Sequence, residues 1–187
     1  MKRIALFIGL LLAVGALNQL AAQKTSSKNK CTIGTELDLF PYVSNGYYAS
    51  AWLGLDDQQV RFRSILAKSD LPDFMLDDEF NRNTLKAYAV VVDYFFKPNY
   101  KGAWLGSGFE YWDGELEDQL KNKSGYHAWV YTLGAGYVWK IWDNLYVNPW
   151  IAGHLRIAGS KEVRVGNELY KPDRFTPEIS IKLGYHF

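Results

Sequence analysis

The sequence has few cysteines, methionines and prolines and almost no net charge. Of its 187 residues one is Cys, two are Met and six are Pro, and 21 basic side chains stand against 20 acidic ones. The single cysteine, Cys31, excludes an intramolecular disulfide framework and a cysteine-rich zinc site. The net charge of +1 argues against a nucleic-acid-binding protein, because such proteins normally carry a basic excess or a basic stripe.

Motifs of several catalytic and binding classes are missing as well. The sequence contains no glycine-rich phosphate loop, no HExxH helix and no serine nucleophile elbow. Beyond Gly34 no window of 18 apolar residues occurs, so no transmembrane helix is predicted there. The acidic residues of segment 69–83 do not have the spacing of an EF-hand loop. We therefore predict no cofactor and no metal site.

Residues 1–22 have the pattern of a secretory signal peptide. Lys2 and Arg3 precede a run of glycines and apolar residues at 4–17, and the small residues Ala21 and Ala22 follow. A membrane anchor is the alternative interpretation, but a helical run of this length covers only about 21 Å of a hydrocarbon core of about 30 Å. Residues 23–34 form a polar lead-in that contains Cys31. No role is predicted for Cys31, and intermolecular pairing is the alternative.

The remaining residues, 35–187, alternate in polarity with a period of two, which predicts an all-β domain. Eight strands are predicted, at 35–43, 47–55, 59–68, 84–95, 103–112, 126–139, 145–158 and 175–187. In the last of them, one face carries bulky apolar or aromatic side chains up to Phe187, and the other carries small or charged ones. The facing of 47–55 is ambiguous from the pattern.

The lengths of the strands and of their connections point to a membrane. Most strands reach the roughly nine to eleven residues that a tilted strand needs to cross a bilayer. The connections alternate between short turns, at 56–58, 96–102 and 140–144, and long polar segments, at 69–83, 113–125 and 159–174. Short turns on one side and long loops on the other are typical of outer-membrane barrels, although the short first connection at 44–46 breaks the pattern.

With its leader, its eight alternating strands and its terminal aromatic residue, the chain resembles the small outer-membrane β-barrels of Gram-negative bacteria, of the OmpA, OmpX and OmpW kind. The resemblance covers about residues 35–187 and implies an eight-stranded antiparallel up-and-down transmembrane barrel in the outer membrane. It also implies contact with outer-membrane lipids and lipopolysaccharide, and recognition of the last strand by the barrel-insertion machinery. The predicted insertion signal comprises Ile179, Ile181, Leu183, Tyr185 and Phe187. A secreted soluble barrel of the lipocalin kind is the alternative.

An eight-stranded barrel is only wide enough inside for side chains, so charges on its inner face must compensate one another. The predicted interior ion network comprises Glu36, Asp38, Arg61, Arg63, Asp93, Glu110, Arg156, Glu178, Lys182 and His186. The predicted contacts are Glu36 and Asp38 with Lys182 and His186, Arg61 and Arg63 with Asp93, and Arg156 with Glu178. Such a network is either a structural plug or the lining of a gated path for a small solute.

Enzymatic activity on lipid A is a further hypothesis. An enzyme of this kind would need a histidine with a serine, and usually an acid, at the outer rim of the barrel. The two weak candidates are His127 with Ser124 and His154 with Glu178. The favoured hypothesis is a non-enzymatic structural or surface-interaction protein whose extracellular loops, 69–83, 113–125 and 159–174, contact a partner. A lipid A-modifying enzyme is the second hypothesis, and a channel for a small solute or a hydrophobic compound is the third.

Overall fold

The computed structural model describes residues 31–72 and 76–187; the predicted signal peptide at 1–22 and the lead-in up to residue 30 lie outside the described residues. The barrel strands are β1 (Cys31–Asp38), β2 (Tyr47–Leu55), β3 (Val60–Asp70), β4 (Phe80–Phe95), β5 (Gly102–Asp118), β6 (Lys123–Lys140), β7 (Leu145–Gly159) and β10 (Phe175–His186). Two short strands, β8 (Val163–Val165) and β9 (Glu168–Tyr170), form a separate hairpin. A short helix, α1 (Phe40–Val43), follows β1, and a 3-10 turn occupies Asp56–Gln58.

The eight long strands close into an antiparallel barrel, as the alternation predicts. Each pairs with its neighbours in chain order, and β10 closes the ring by pairing with β1, where Leu37 lies opposite Leu183. Closure leaves no unpaired edge among these strands. No helix in the described part of the chain is long and apolar enough to cross a membrane.

The register of the pairs fixes the tilt of the strands. Following paired residues once around the ring gives Lys140, Tyr146, Gly184, Glu36, Ser50, Ile65, Ala89, Glu110 and Val130. The path returns to β6 at Val130, ten residues from its start at Lys140. With about 3.3 Å per residue and about 4.8 Å between strands, this stagger corresponds to a tilt of about 40°.

The first strand differs from its predicted range of 35–43. It begins at Cys31, so the last part of the predicted lead-in belongs to the barrel, and it ends at Asp38. Pro41 lies in the first turn of α1 and has no backbone N–H, so it cannot continue the hydrogen-bonded ladder. Ser44 and Gly46 instead donate their backbone N–H groups to the Pro41 carbonyl and close the turn.

The barrel has a turn end, with both described chain ends and the connections 56–59, 96–101 and 141–144. Its other end, the loop end, has the described connecting residues 39–46, 71–72, 76–79, 119–122 and 160–174. The prediction of a long loop at 113–125 is wrong, because β5 and β6 continue into it and leave only 119–122 as a turn.

Asp118 holds this turn by accepting hydrogen bonds from the backbone of Leu120 and from Asn122. These bonds, above all that from the Asn122 side chain, lower the pKa of Asp118.

The predicted facing of the strands is confirmed. On β6, for example, Trp129 and Leu133 are exposed on the outside, whereas Val130 and Thr132 between them are buried. The ambiguous strand β2 turns Tyr48, Ser50, Trp52 and Gly54 inward. Interior glycines leave room for large rings: a Cβ atom on Gly136 would overlap the Trp104 ring, and one on Gly184 would overlap the Tyr146 ring.

Candidate functional site

A closed ring of four charged side chains occupies the part of the interior nearer the turn end. Arg61 on β3 donates to Glu36 through its terminal nitrogen (2.8 Å) and to Asp93 through Nε (2.8 Å). Arg63, two residues along the same strand, contacts Glu36 at 3.3 Å and Asp93 at 2.7 Å. All four side chains are fully buried, and two guanidinium groups neutralise two carboxylates. The predicted contact of both arginines with Asp93 is therefore found.

Aromatic rings and neutral polar groups surround this four-residue ring in place of water. The Arg61 guanidinium lies 5.4 Å from the Trp52 ring centroid, and the Arg63 guanidinium lies 4.9 Å from that of Trp104. Such cation–π contacts are strongest where water is absent. Glu36 also accepts hydrogen bonds from the Tyr146 hydroxyl (2.9 Å) and the Asn148 amide (3.0 Å).

A second group of charges lies further toward the loop end, around Lys182. Its ammonium contacts Asp38 at 3.2 Å and Glu178 at 3.4 Å and donates to the Ser180 hydroxyl at 2.6 Å. It also lies 4.6 Å from the Trp150 ring centroid. The predicted contact between Asp38 and Lys182 is found, whereas Glu36 is bound by the arginines instead.

The third group is centred on His154, which lies between two carboxylates. Its Nε2 is 3.0 Å from Glu178 and its Nδ1 is 3.3 Å from Glu110. Thr132, fully buried, lies 2.8 Å from His154 Nδ1 and donates its hydroxyl to Glu110 at 2.7 Å. Thr132 is fully buried, so its hydroxyl is not exposed to a substrate, and the group is a buried set of contacts between one histidine and two carboxylates.

Four of the residues predicted for the ion network or for catalysis take no part in the observed network. The predicted contact of Arg156 with Glu178 is wrong: Arg156 lies at the loop end and donates to the backbone carbonyls of Asp173 and Ser160. His186 faces the rings of Trp52 and Tyr146 rather than a carboxylate.

His127 is on the outer wall, where it stacks on Tyr111 with 6.4 Å between ring centroids. Ser124 stands three residues away on β6 and makes no hydrogen bond to His127 among the described side chains.

Several interior residues escaped the sequence prediction. Trp52, Trp104 and Tyr100 are almost fully buried and pack with Phe95 into the main aromatic cluster. The available signal was the set of inward glycines, since Gly136 and Gly54 leave the space that Trp104 and Tyr100 occupy. Aromatic residues inside a barrel are hard to anticipate, because a period-two pattern normally assigns rings to the apolar outer face.

A hairpin covers the loop end of the barrel. The predicted loop 159–174 contains β8 and β9, and Val163 and Val165 of β8 are buried against the inner face of the long strands β4, β5 and β6. Asn83 is fully buried beneath this hairpin and hydrogen-bonds to the hydroxyls of Tyr126 and Tyr170. The loop end is thus closed by a packed apolar cluster above the ion network.

The outer wall is apolar between two belts of aromatic side chains. The lower belt, near the turn end, comprises Tyr94, Phe96, Tyr137, Trp139, Trp142, Tyr185 and Phe187. The upper belt, near the loop end, comprises Tyr47, Tyr88, Phe109, Tyr111, Trp129 and Phe175. On β6 the belts are marked by Trp139 and Trp129, ten residues apart. At about 3.3 Å per residue and about 40° of tilt, they are separated by about 25 Å, the height of the apolar band of transmembrane barrels.

Beyond the upper belt the outer wall changes from apolar to charged. The outward residues of β4, β5 and β6 form exposed ion pairs there, including Lys86 with Asp113 at 3.6 Å and Lys123 with Glu115 at 2.8 Å.

The predicted insertion-signal residues Ile179, Ile181 and Leu183 are exposed on the apolar part of the wall. Tyr185 and Phe187 contact each other within the lower belt, with ring centroids 5.2 Å apart. Recognition of these residues by an insertion machinery stays a prediction.

The comparisons with known proteins agree with this architecture. The chain is similar to Neisserial surface protein A, with a TM-score of 0.57 and 10% sequence identity over 88% of this chain and 100% of that protein. It is also similar to the N-terminal β-barrel domain of OprF from Pseudomonas aeruginosa, with a TM-score of 0.55 and 13% identity over 87% and 100%. The chain has the fold of the small eight-stranded outer-membrane barrels. Its sequence matches no protein-family model and no curated protein.

The four-residue ring predicts a large difference between buried and exposed carboxylates. Asp93→Ala leaves Arg61 and Arg63 with one carboxylate between them, so we expect the free energy of unfolding to fall by about 3–5 kcal/mol. Glu162→Ala removes an exposed carboxylate whose partner is Lys171 and should cost less than about 1 kcal/mol. Urea unfolding of both variants in the same detergent measures the two values. Equal losses would contradict the assignment of the ring as the main electrostatic constraint.

Proposed function

We propose that this protein is an outer-membrane barrel of structural or surface-interaction type, with an interior that does not conduct. The observation that carries the proposal is the distribution of polarity: charges are buried and paired inside, whereas apolar side chains cover the outside. Ile179, for example, is 81% exposed, while Lys182 on the same strand is 1% exposed. A soluble barrel has the opposite distribution, because water favours charge on its surface.

The height of the apolar band supports a bilayer as its surroundings. The aromatic belts lie about 25 Å apart, and exposed ion pairs begin directly beyond the upper one, as expected at the level of the lipid headgroups. With the turn end on the periplasmic side, as in barrels of this kind, the long strands β4, β5 and β6 and the β8–β9 hairpin would project from the cell. These projecting parts are the ones available to an extracellular partner.

The interior supports a closed barrel rather than a channel. Arg61, Arg63 and Trp104 fill the section near the turn end, and the cluster around Val165 fills the loop end. A solute would have to separate buried ion pairs at several levels, and each separation leaves an uncompensated charge in a buried site. Surface interaction and mechanical support of the envelope are therefore better supported than transport.

Fractionation and gel migration test the location. We expect the protein in the outer-membrane fraction, and we expect an unboiled sample to migrate differently from a boiled one, because the closed strand ring resists dodecyl sulfate until it is heated. A variant lacking β10 (Phe175–His186) cannot close the ring and should lose this difference. Recovery of the full-length protein in the soluble periplasmic fraction would contradict the proposal.

Planar-bilayer recordings test the closed interior. We expect no steady conductance steps from the purified barrel, under conditions in which an open porin conducts. Replacing residues 162–172 by a short Gly–Ser linker removes the β8–β9 hairpin but leaves the ion network in place, so this variant should stay closed as well. Steady steps from the unmodified protein would favour the channel hypothesis. Steps from the shortened variant alone would show that the hairpin, and not the network, is the barrier.

A charge on the outer wall tests which face meets lipid. Ile181 stands in the middle of the outward row of β10 and is 56% exposed, so Ile181→Arg should lower the free energy of unfolding by about 2–4 kcal/mol in liposomes. Leu120→Arg is the control: Leu120 is 79% exposed, but it lies at the tip of the β5–β6 turn, and its replacement should change the value by about 0.5 kcal/mol or less. Equal effects would mean that both side chains face water.

A further inference from the structure

We propose that His154 is a pH-sensitive lock in the loop-end half of the barrel. A second proton on its imidazole joins β7 to β5 and β10, and the loss of this proton breaks one of the two contacts. The lock lies in the interior, so it can be tested on the folded barrel in detergent, independently of the proposed placement in the outer membrane.

Both nitrogens of the His154 imidazole face oxygen atoms. Nε2 lies 3.0 Å from a carboxylate oxygen of Glu178 on β10. Nδ1 lies 2.8 Å from the Thr132 hydroxyl on β6 and 3.3 Å from Glu110 on β5. A neutral imidazole has one N–H donor and one lone pair, whereas an imidazolium has two donors. The contact with Glu178 takes one N–H, so the role of Nδ1 decides the charge.

The Thr132 hydroxyl makes Nδ1 a donor. Its oxygen lies 2.7 Å from Glu110 and 2.8 Å from Nδ1, and it has only one proton to donate. If that proton went to Nδ1, the hydroxyl and Glu110 could form a hydrogen bond only with a protonated carboxyl group. In model peptides the pKa of imidazole is about 6.5 and that of a glutamic acid about 4.3, so the extra proton belongs on His154. The hydroxyl then donates to Glu110, and Nδ1 donates to the hydroxyl.

The charge balance of the interior also calls for a cation at this level. The four-residue ring is neutral by itself. Above it, Asp38, Glu110 and Glu178 share one ammonium group, that of Lys182, among the contacts of the described residues. Arg156, the next inward residue of β7, is bound to backbone carbonyls instead. An imidazolium reduces this excess of buried negative charge, which is costly when it is left uncompensated.

The surroundings of the imidazole show how the lock is released. It is 5% exposed and lies 5.4 Å from the Trp112 ring on β5, so it has little contact with water. The Glu178 side chain is 33% exposed and can turn toward the solvent once its partner has given up a proton. β7 then loses a contact with β10 directly below Arg156, which binds the carbonyls of Ser160 and Asp173 at the two ends of the hairpin segment. Alkaline conditions should therefore loosen the loop end.

Urea unfolding of the full-length barrel in a non-ionic detergent, at several pH values, counts the proton. In the unfolded chain His154 is mostly neutral above about pH 6.5, so folding takes up one proton there, and the stability it provides is complete below that pH and is lost as the pH rises. We expect the unfolding equilibrium constant to rise at least about fivefold from about pH 7 to about pH 8.

Two variants assign this dependence to one residue. His154→Gln cannot take up a proton, so its unfolding constant should change less than about twofold over the same interval. His186→Gln is the control, because His186 faces the rings of Trp52 and Tyr146 and not a carboxylate, and it should keep the dependence of the unmodified barrel. An equal dependence in His154→Gln and the unmodified barrel overturns the proposal.

Nitrogen-15 NMR of the imidazole observes the proton in the unmodified barrel, which keeps the test valid if His154→Gln does not fold. We expect an imidazolium at about pH 7.5, where a free histidine is mostly neutral. Glu178→Gln removes one of the two carboxylates, so its His154 should lose the second proton at least about one pH unit lower. Glu162→Gln changes an exposed carboxylate at the same end and should leave the titration unchanged.

A neutral imidazole at about pH 7.5 in the unmodified barrel overturns the proposal, as does an equal shift in Glu178→Gln and Glu162→Gln. The location of the protein is decided separately. A barrel found in the outer membrane with a neutral His154 disproves the lock alone. A barrel that carries the imidazolium but is absent from that membrane disproves the proposed function alone.

Discussion

The burial of two guanidinium groups in one narrow cross-section is the constraint on which the rest of the interior depends. Arg61 and Arg63 cannot lose their charge, so the barrel must supply compensating groups at their level. Glu36 and Asp93 supply the negative charge, and tryptophan rings supply the polarisable surface that replaces water. The remaining donors, Tyr146 and Asn148, are then fixed by the free acceptor sites of Glu36.

This compensation links strands that are distant in the chain. Glu36 lies on β1, the arginines on β3 and Asp93 on β4. Tyr146 and Asn148 reach the Glu36 carboxylate from β7, which lies across the barrel from β3. Because the contacts cross the barrel, they favour the closed ring over any partly open sheet. The outer wall takes no part in them, so its composition is free to match its surroundings. This division explains how a chain with a net charge near zero can have a charged core and an apolar surface.

The sequence was sufficient for the strand number, for the facing of every strand except β2 and for most members of the network, because all three follow from a period of two. Depth was harder to predict, since it depends on the stagger of the ring. Arg156 has the same parity as His154, but it stands two residues closer to the loop end and therefore meets backbone carbonyls instead of Glu178. The extension of β5 to Asp118 was missed for a related reason: its outward residues change from apolar to charged after Tyr111, and this change looks like the start of a loop.

The loop end is uneven, and its unevenness separates two kinds of surface. On the side of β1 and β2 the wall is low, and α1 exposes Phe40 and Val43 beside the strand that carries Tyr47, a member of the upper aromatic belt. On the side of β4, β5 and β6 the wall continues past that belt with paired charges on its outside and an apolar cluster on its inside. The side of β1 and β2 suits contact with lipid, and the extended side of β4, β5 and β6 suits contact with headgroups and water. The proposed contact with an extracellular partner therefore falls to the side of β4, β5 and β6, where the β8–β9 hairpin is anchored.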